Sequence, residues 1–236
     1  MYCKTMLAAA AALTTVSGGS IQAAPVPIIN ASFDDFNVDI QTSVTSTNLP
    51  GWTETDNGLE LRIWDNDNTS SAQSQLNVDG LNQQWIGITT GATSQTPLTL
   101  TQTLGVTVQA DTMYTLTAAF STFVRSATVS TDSTQAQLIA DLGGANETVL
   151  ADTGVQSGAA LLQNVFSDFQ GVGDSTGANA VLVGESLSIV ISLLQNDANL
   201  KVAADNIRLD ATLVPEPGSL ALLGLGGLCL LHRRRF

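Results

Sequence analysis

Trp64 is the residue whose neighbours best equip it to meet a ligand. It ends the alternating run Leu59-Glu60-Leu61-Arg62-Ile63-Trp64, with Arg62 two residues earlier on the same strand face and Asp65-Asn66-Asp67-Asn68 following. Trp85 follows Asn82-Gln83-Gln84 and opens a second short run, Trp85-Ile86-Gly87-Ile88-Thr89. An indole beside amides, carboxylates and a guanidinium suits a sugar, whose C–H face stacks on the ring while its hydroxyls hydrogen-bond to the rim. Arg62, Trp64 and Trp85 are therefore the glycan-binding candidates. The competing reading is that tryptophans in a β-sandwich fill its core or rim, and Trp52, directly after Pro50-Gly51, reads as such a core plug.

Other chemistries are excluded by what the middle of the chain lacks. The only histidine is His232, and both cysteines, Cys3 and Cys229, also lie near the ends. The body thus holds no His-based triad, no thiol nucleophile and no thiolate zinc site. No phosphate loop, Gly-x-Gly-x-x-Gly fingerprint or Gly-x-Ser-x-Gly elbow is present. Carboxylates are plentiful, but nothing singles out a pair at the spacing of a glycosidase, so no enzymatic activity is expected. Asp65-x-Asp67-x-Thr69 begins like a calcium loop, yet it lacks the central Gly and has Leu76 where the bidentate Glu belongs; it reads as a solvated turn.

Charge narrows the partners. Of 8 basic and 21 acidic residues, Lys4, Arg233, Arg234, Arg235 and Glu216 fall outside the body, which keeps four basic and twenty acidic residues, a formal charge of −16. Nucleic acid is excluded, because binding it needs a basic patch. Neutral glycans, cations and basic proteins are compatible, and solubility outside the cell is served as well.

The elements that must position these residues are strands. The body is rich in Thr, Ser, Val, Gly, Asn and Gln, and alternating runs recur between turn signals. They cover 59–64, 85–89, 98–108, 113–123, 135–142, 147–150, 161–169, 186–194 and 202–213, with Gly143-Gly144-Ala145-Asn146 as a hairpin turn and 159–166 open to a short helix. About nine or ten strands at this spacing predict an all-β, two-sheet jelly-roll sandwich.

The ends are addresses. Lys4, the apolar stretch from Met6 to Val16 and Gln22-Ala23-Ala24-Pro25 form a secretory signal peptide, with cleavage expected after Ala23. At the other end come Pro215-Glu216-Pro217, an apolar run from Leu220 to Leu231, and Arg233-Arg234-Arg235. As a helix that run spans roughly 18 Å, short of a ~30 Å hydrocarbon core. The expected division is a signal peptide at 1–23, the sandwich at 24–214 and the tail at 215–236, with a helix in each terminal segment.

The tail resembles the PEP-CTERM sorting signal. That resemblance implies export across the inner membrane, transient insertion through the C-terminal helix, processing by an exosortase-type membrane enzyme, and a final place at the cell surface or in the extracellular matrix. Pro215, Glu216, Pro217, Arg233, Arg234 and Arg235 carry the motif. The body resembles galactose-binding-like jelly rolls, related in fold to carbohydrate-binding modules, through Asn30-Ala31-Ser32-Phe33-Asp34, Leu49-Pro50-Gly51-Trp52-Thr53, Leu100-Thr101-Gln102-Thr103-Leu104, the stretch from Val108 to Leu116 and Asp205-Asn206-Ile207-Arg208-Leu209. This second resemblance implies an extracellular polysaccharide partner and a structural Ca²⁺ where the first strand meets the last, at Asp34 and Asp205. The function expected from both is an exported, non-catalytic, polysaccharide-associated binding module; the alternatives are a structural or adhesive surface protein and a glycan-active enzyme.

Overall fold

The structure is a computed structural model. It describes residues 23–33, 44–45, 49–55, 61–65, 84–88, 96–124, 132–157, 160–161, 165–195 and 200–214. The expected terminal helices, Asp34 and most of the Asp65-x-Asp67-x-Thr69 turn lie outside the described residues. Among the described residues no helix is long and apolar enough to cross a membrane.

Among the described residues, ten strands of three or more residues build two antiparallel sheets: β3 (Thr53–Thr55), β4 (Leu61–Asp65), β5 (Gln84–Ile88), β6 (Leu98–Thr107), β7 (Thr112–Val124), β8 (Ser133–Ala140), β9 (Thr148–Asp152), β11 (Ser167–Asp174), β12 (Ser186–Leu194) and β13 (Leu200–Leu213). Three two-residue strands join them: β1 (Ala24–Pro25), β2 (Val44–Thr45) and β10 (Gln156–Ser157). Sheet one runs β11-β7-β13-β5-β4-β2, with β1 also on β13; sheet two runs β10-β8-β12-β6-β3, with β9 on β8. This is the predicted jelly-roll sandwich. The run expected at 161–169 is displaced, since the strand there covers Ser167–Asp174, and the described residues of 159–166 contain no α-helix.

Period-two patterning explains the layers. Leu187, Ile189, Ile191 and Leu193 of β12 and Leu98, Leu100 and Leu104 of β6 point inward, opposite Tyr114, Leu116, Ala118 and Phe120 of β7, and all are buried in one core. Two inward positions break the apolar rule. The Gln109 N–H donates to the Tyr114 hydroxyl at 2.8 Å; burial pushes this phenol's pKa up, against the pull of that bond. Gln102 uses its whole amide: Nε2 donates to the carbonyls of Ile29 (2.8 Å) and Gly51 (3.0 Å), and Oε1 accepts from Ile29 N–H at 2.9 Å. It ties the chain before β3 and the chain after β1 to β6. Trp52 is the expected core plug, buried with its ring centroid 5.7 Å from that of Phe33.

At one edge β11 of sheet one approaches the backbone of β9 of sheet two at two glycines. A Cβ on Gly173 would fall 1.4 Å from the Leu150 carbonyl oxygen, and one on Gly171 would fall 2.3 Å from the Asp152 backbone. Gly173→Ala is therefore expected to destabilise the fold by about 3 kcal/mol. Gly105→Ala, where a Cβ meets nothing within 4 Å, is expected to be neutral or mildly stabilising. Urea denaturation of the two variants checks this, and equal midpoints would refute the close approach.

On the outer side of sheet two, Asp152 accepts hydrogen bonds from Gln135 Nε2, Gln137 Nε2 and the Gly154 N–H. Burial raises its pKa, but the three donors outweigh this and hold the carboxyl below its ordinary value. Its stabilising contribution is complete above the ordinary carboxylate range and drains away as pH falls through the folded-state value. Asp152→Asn should flatten the acid limb of a stability-versus-pH curve; an acid limb identical to wild type would contradict the assignment.

Candidate functional site

The centre of sheet one is buried on both faces. On the side away from the core, Thr117, Ala119 and Ser121 of β7, Ala203 and Asp205 of β13 and Gly87 of β5 are all shielded from water. A sheet with one solvated face would expose this set. Instead it forms a floor of small residues holding one carboxylate.

Register assigns the neighbours of that floor. One row reads Thr45, Arg62, Gly87, Ala203 and Ser121 from β2 to β7. In the next row Trp64 pairs with Trp85, and Asp205 pairs with Ala119, which pairs with Asp168 of β11. The β13–β5 pairing runs Ala203↔Gly87 and Ala204↔Ile86, so one further step brings position 205 level with position 85. Positions 62, 64 and 85 alternate with Leu61, Ile63, Ile86 and Ile88, which are buried in the core. Four of the sequence-candidate positions, those of Arg62, Trp64, Trp85 and Asp205, thus fall in two adjacent rows of the sheet register. They come from opposite ends of the body, and only the sheet order unites them.

A bulge follows Asp205. Between Asp205 and Arg208 the β13–β7 register shifts, Asn206 takes a positive φ of 47°, and the Asn206 N–H donates to Asp205 Oδ1 at 2.7 Å. Asn is among the few non-glycine residues that accept this conformation readily. The Ile207 N–H then donates to the Ala31 carbonyl at 2.9 Å, so the opening segment does lie against the last strand. Arg208 emerges on the outer face and donates to Asp168 in a half-exposed ion pair, a contact of small energetic weight. Among the described residues no three His, Cys, Asp or Glu side chains gather to hold a metal.

Sequence reasoning missed Ala119, Ser121, Ala203 and Asp168. A signal existed for the first three. Leu116-Thr117-Ala118-Ala119-Phe120-Ser121-Thr122 and Val202-Ala203-Ala204 carry small or apolar residues at both parities, the mark of a strand covered on two sides. Asp168 had none, because only the β11–β7 register brings it to this face.

Comparison with known proteins fits this architecture. A Stig cyclase, Fisc, from Fischerella sp. TAU in complex with (3Z)-3-(1-methyl-2-pyrrolidinylidene)-3H-indole is 21% identical, with a TM-score of 0.62 over 82% of this chain and 100% of that one. An apo cyclase from Fischerella sp. is 20% identical, with a TM-score of 0.62 over 82% of this chain and 98% of that one. A cyclase from Fischerella sp. TAU in complex with 4-(1H-indol-3-yl)butan-2-one is 18% identical, with a TM-score of 0.55 over 81% and 99%. At these identities the likeness establishes the shared sandwich fold. No curated protein matches the chain. The PEP-CTERM protein-sorting motif matches residues 213–235, which implies export, a transiently membrane-anchored tail and processing by exosortase. The HpiC1-like family, described as HpiC1 cyclase, matches residues 24–210, and the chain belongs to that family.

Proposed function

We propose that the protein is a ligand-binding sandwich carried to the cell surface by its tail, and that it holds a saccharide unit of an extracellular polysaccharide on the outer face of sheet one. The observation that carries this reading is the cross-strand pairing of Trp64 with Trp85, with Arg62 in the adjoining row and Asp205 one strand away. Aromatic residues at two paired positions offer a stacking surface about one sugar ring wide, since neighbouring strands lie roughly 4.8 Å apart. Arg62 and Asp205 supply a donor and an acceptor for ring hydroxyls. A Ca²⁺ ion at Asp34 and Asp205 would brace the meeting of the opening segment with the last strand, using the oxygen ligands this ion prefers.

A second reading is favoured by two observations, the burial of the floor around Asp205 and membership of a cyclase family. An open polysaccharide platform is exposed, whereas a closed floor with one carboxyl suits a small, flat substrate. Asp205 would then act as a general acid, donating its proton to the substrate and recovering one after ring closure. The other carboxylate in the same row, Asp168, is engaged by Arg208.

A glycan array, run with the full chain in the presence of Ca²⁺ and then of chelator, separates the readings. Trp64→Ala and Trp85→Ala are each expected to weaken binding about tenfold or more, the loss typical of an aromatic anchor. If no glycan binds while the probe compound 4-(1H-indol-3-yl)butan-2-one does, and Asp205→Asn leaves that binding intact, the saccharide reading falls and the acid-catalysis reading stands.

A further inference from the structure

Both termini of the sandwich leave from one end of the fold. The last strand stops at Leu213, and the Val214 N–H donates to the Asp111 carbonyl at 2.6 Å. The first strand pairs with the same stretch, Ala24 opposite Ala211. Three segments close this end and are bonded to one another. The Val108 N–H donates to Glu185 O (2.8 Å), the Gly184 N–H to Val108 O (2.9 Å) and the Asp141 N–H to Ser186 O (2.9 Å). Ser175 Oγ donates to Gln109 O at 2.6 Å.

This end has an unusual surface. Val181 is 78% exposed and Leu213 63%, and Val183, Leu142 and Met113 are exposed beside them. The same end carries Asp111, Asp141, Glu147, Asp174 and Glu185, and among the described residues there is no lysine or arginine there. Exposed apolar groups gathered within a polar rim mark a contact surface. Residues 215–219 separate Val214 from the apolar run beginning at Leu220, and five extended residues reach at most about 18 Å. While that run is in the membrane, this end of the sandwich must face the membrane closely.

We propose that this end is a docking surface for the extracytoplasmic face of the membrane enzyme that processes the tail, with the apolar tips entering a groove and the carboxylates meeting a basic rim. The inference rests on the sorting function of the tail. Charge decides between this occupant and bare lipid, because anionic headgroups repel an end that carries five carboxylates and no described lysine or arginine. The outer face of sheet one is left clear for its own ligand.

The test follows conversion of the full chain, leader and tail included, by pulse-chase in its native host. Val181→Asp/Val183→Asp is expected to slow conversion about tenfold, the effect of placing charges in an apolar contact. Val181→Asp alone, at a position 78% exposed in the free protein, should show a smaller slowing without loss of thermal stability. Glu147→Lys/Glu185→Lys should also slow conversion, by opposing the basic rim. Val155→Asp and Val165→Asp, near the opposite end, should convert like wild type. Normal conversion of the Val181/Val183 variant would overturn the docking surface. Slowed conversion there with normal or faster conversion of the lysine variant would replace the enzyme by the bilayer as occupant. If wild type is never converted, the sorting function fails first, and the docking surface with it.

Discussion

Between Asp205 and Arg208 the last strand uses two residues to pass one on β7, and most of the described architecture hangs on that extra residue. Before the bulge Val202 and Ala204 enter the core; after it Ile207 and Leu209 do. Without the extra residue the second half of β13 would turn its apolar side chains outward, since a one-residue slip exchanges the faces of a strand. β13 pairs with β7 along its length and with β5 and β1 on its other side, so the consequence would spread through all of sheet one. The same bulge frees the Ile207 N–H to hold Ala31.

The family match covers the whole sandwich, and within it the outer face of sheet one carries the buried carboxylate on which both proposed readings rest. A carboxylate on a water-shielded floor of Ala119, Ser121, Ala203 and Gly87 has its electrostatic interactions strengthened by the low local dielectric. The tail, which matches the PEP-CTERM sorting motif, concerns export and not the chemistry of this face.

Much of this was legible in the sequence, and the exceptions have physical causes. β12 spans the predicted 186–194, because Leu187, Ile189, Ile191 and Leu193 alternate with Ser and Val between turn residues. β11 was displaced because Gly171 and Gly173 erase its pattern: they are there to let its backbone lie on β9, a contact that needs the absence of side chains. The candidate residues Arg62, Trp64, Trp85 and Asp205 were recognisable by type and local spacing. Their assembly was not, since it depends on β13 pairing with β5, an association between residues more than a hundred positions apart. Gln102 shows the converse limit. A polar residue at an inward position looks like a break in the strand until the three backbone groups it satisfies are in view.

The most direct test of the shared face is to record the three indole N–H resonances of the full chain by NMR, assigned by single substitution, while titrating an oligosaccharide fragment of a bound polysaccharide. The account predicts that the Trp64 and Trp85 signals move together and saturably, while that of Trp52, buried against Phe33, stays in place. Movement of Trp52 alone, or of none of the three under saturating ligand, would contradict the assignment of the site to this face.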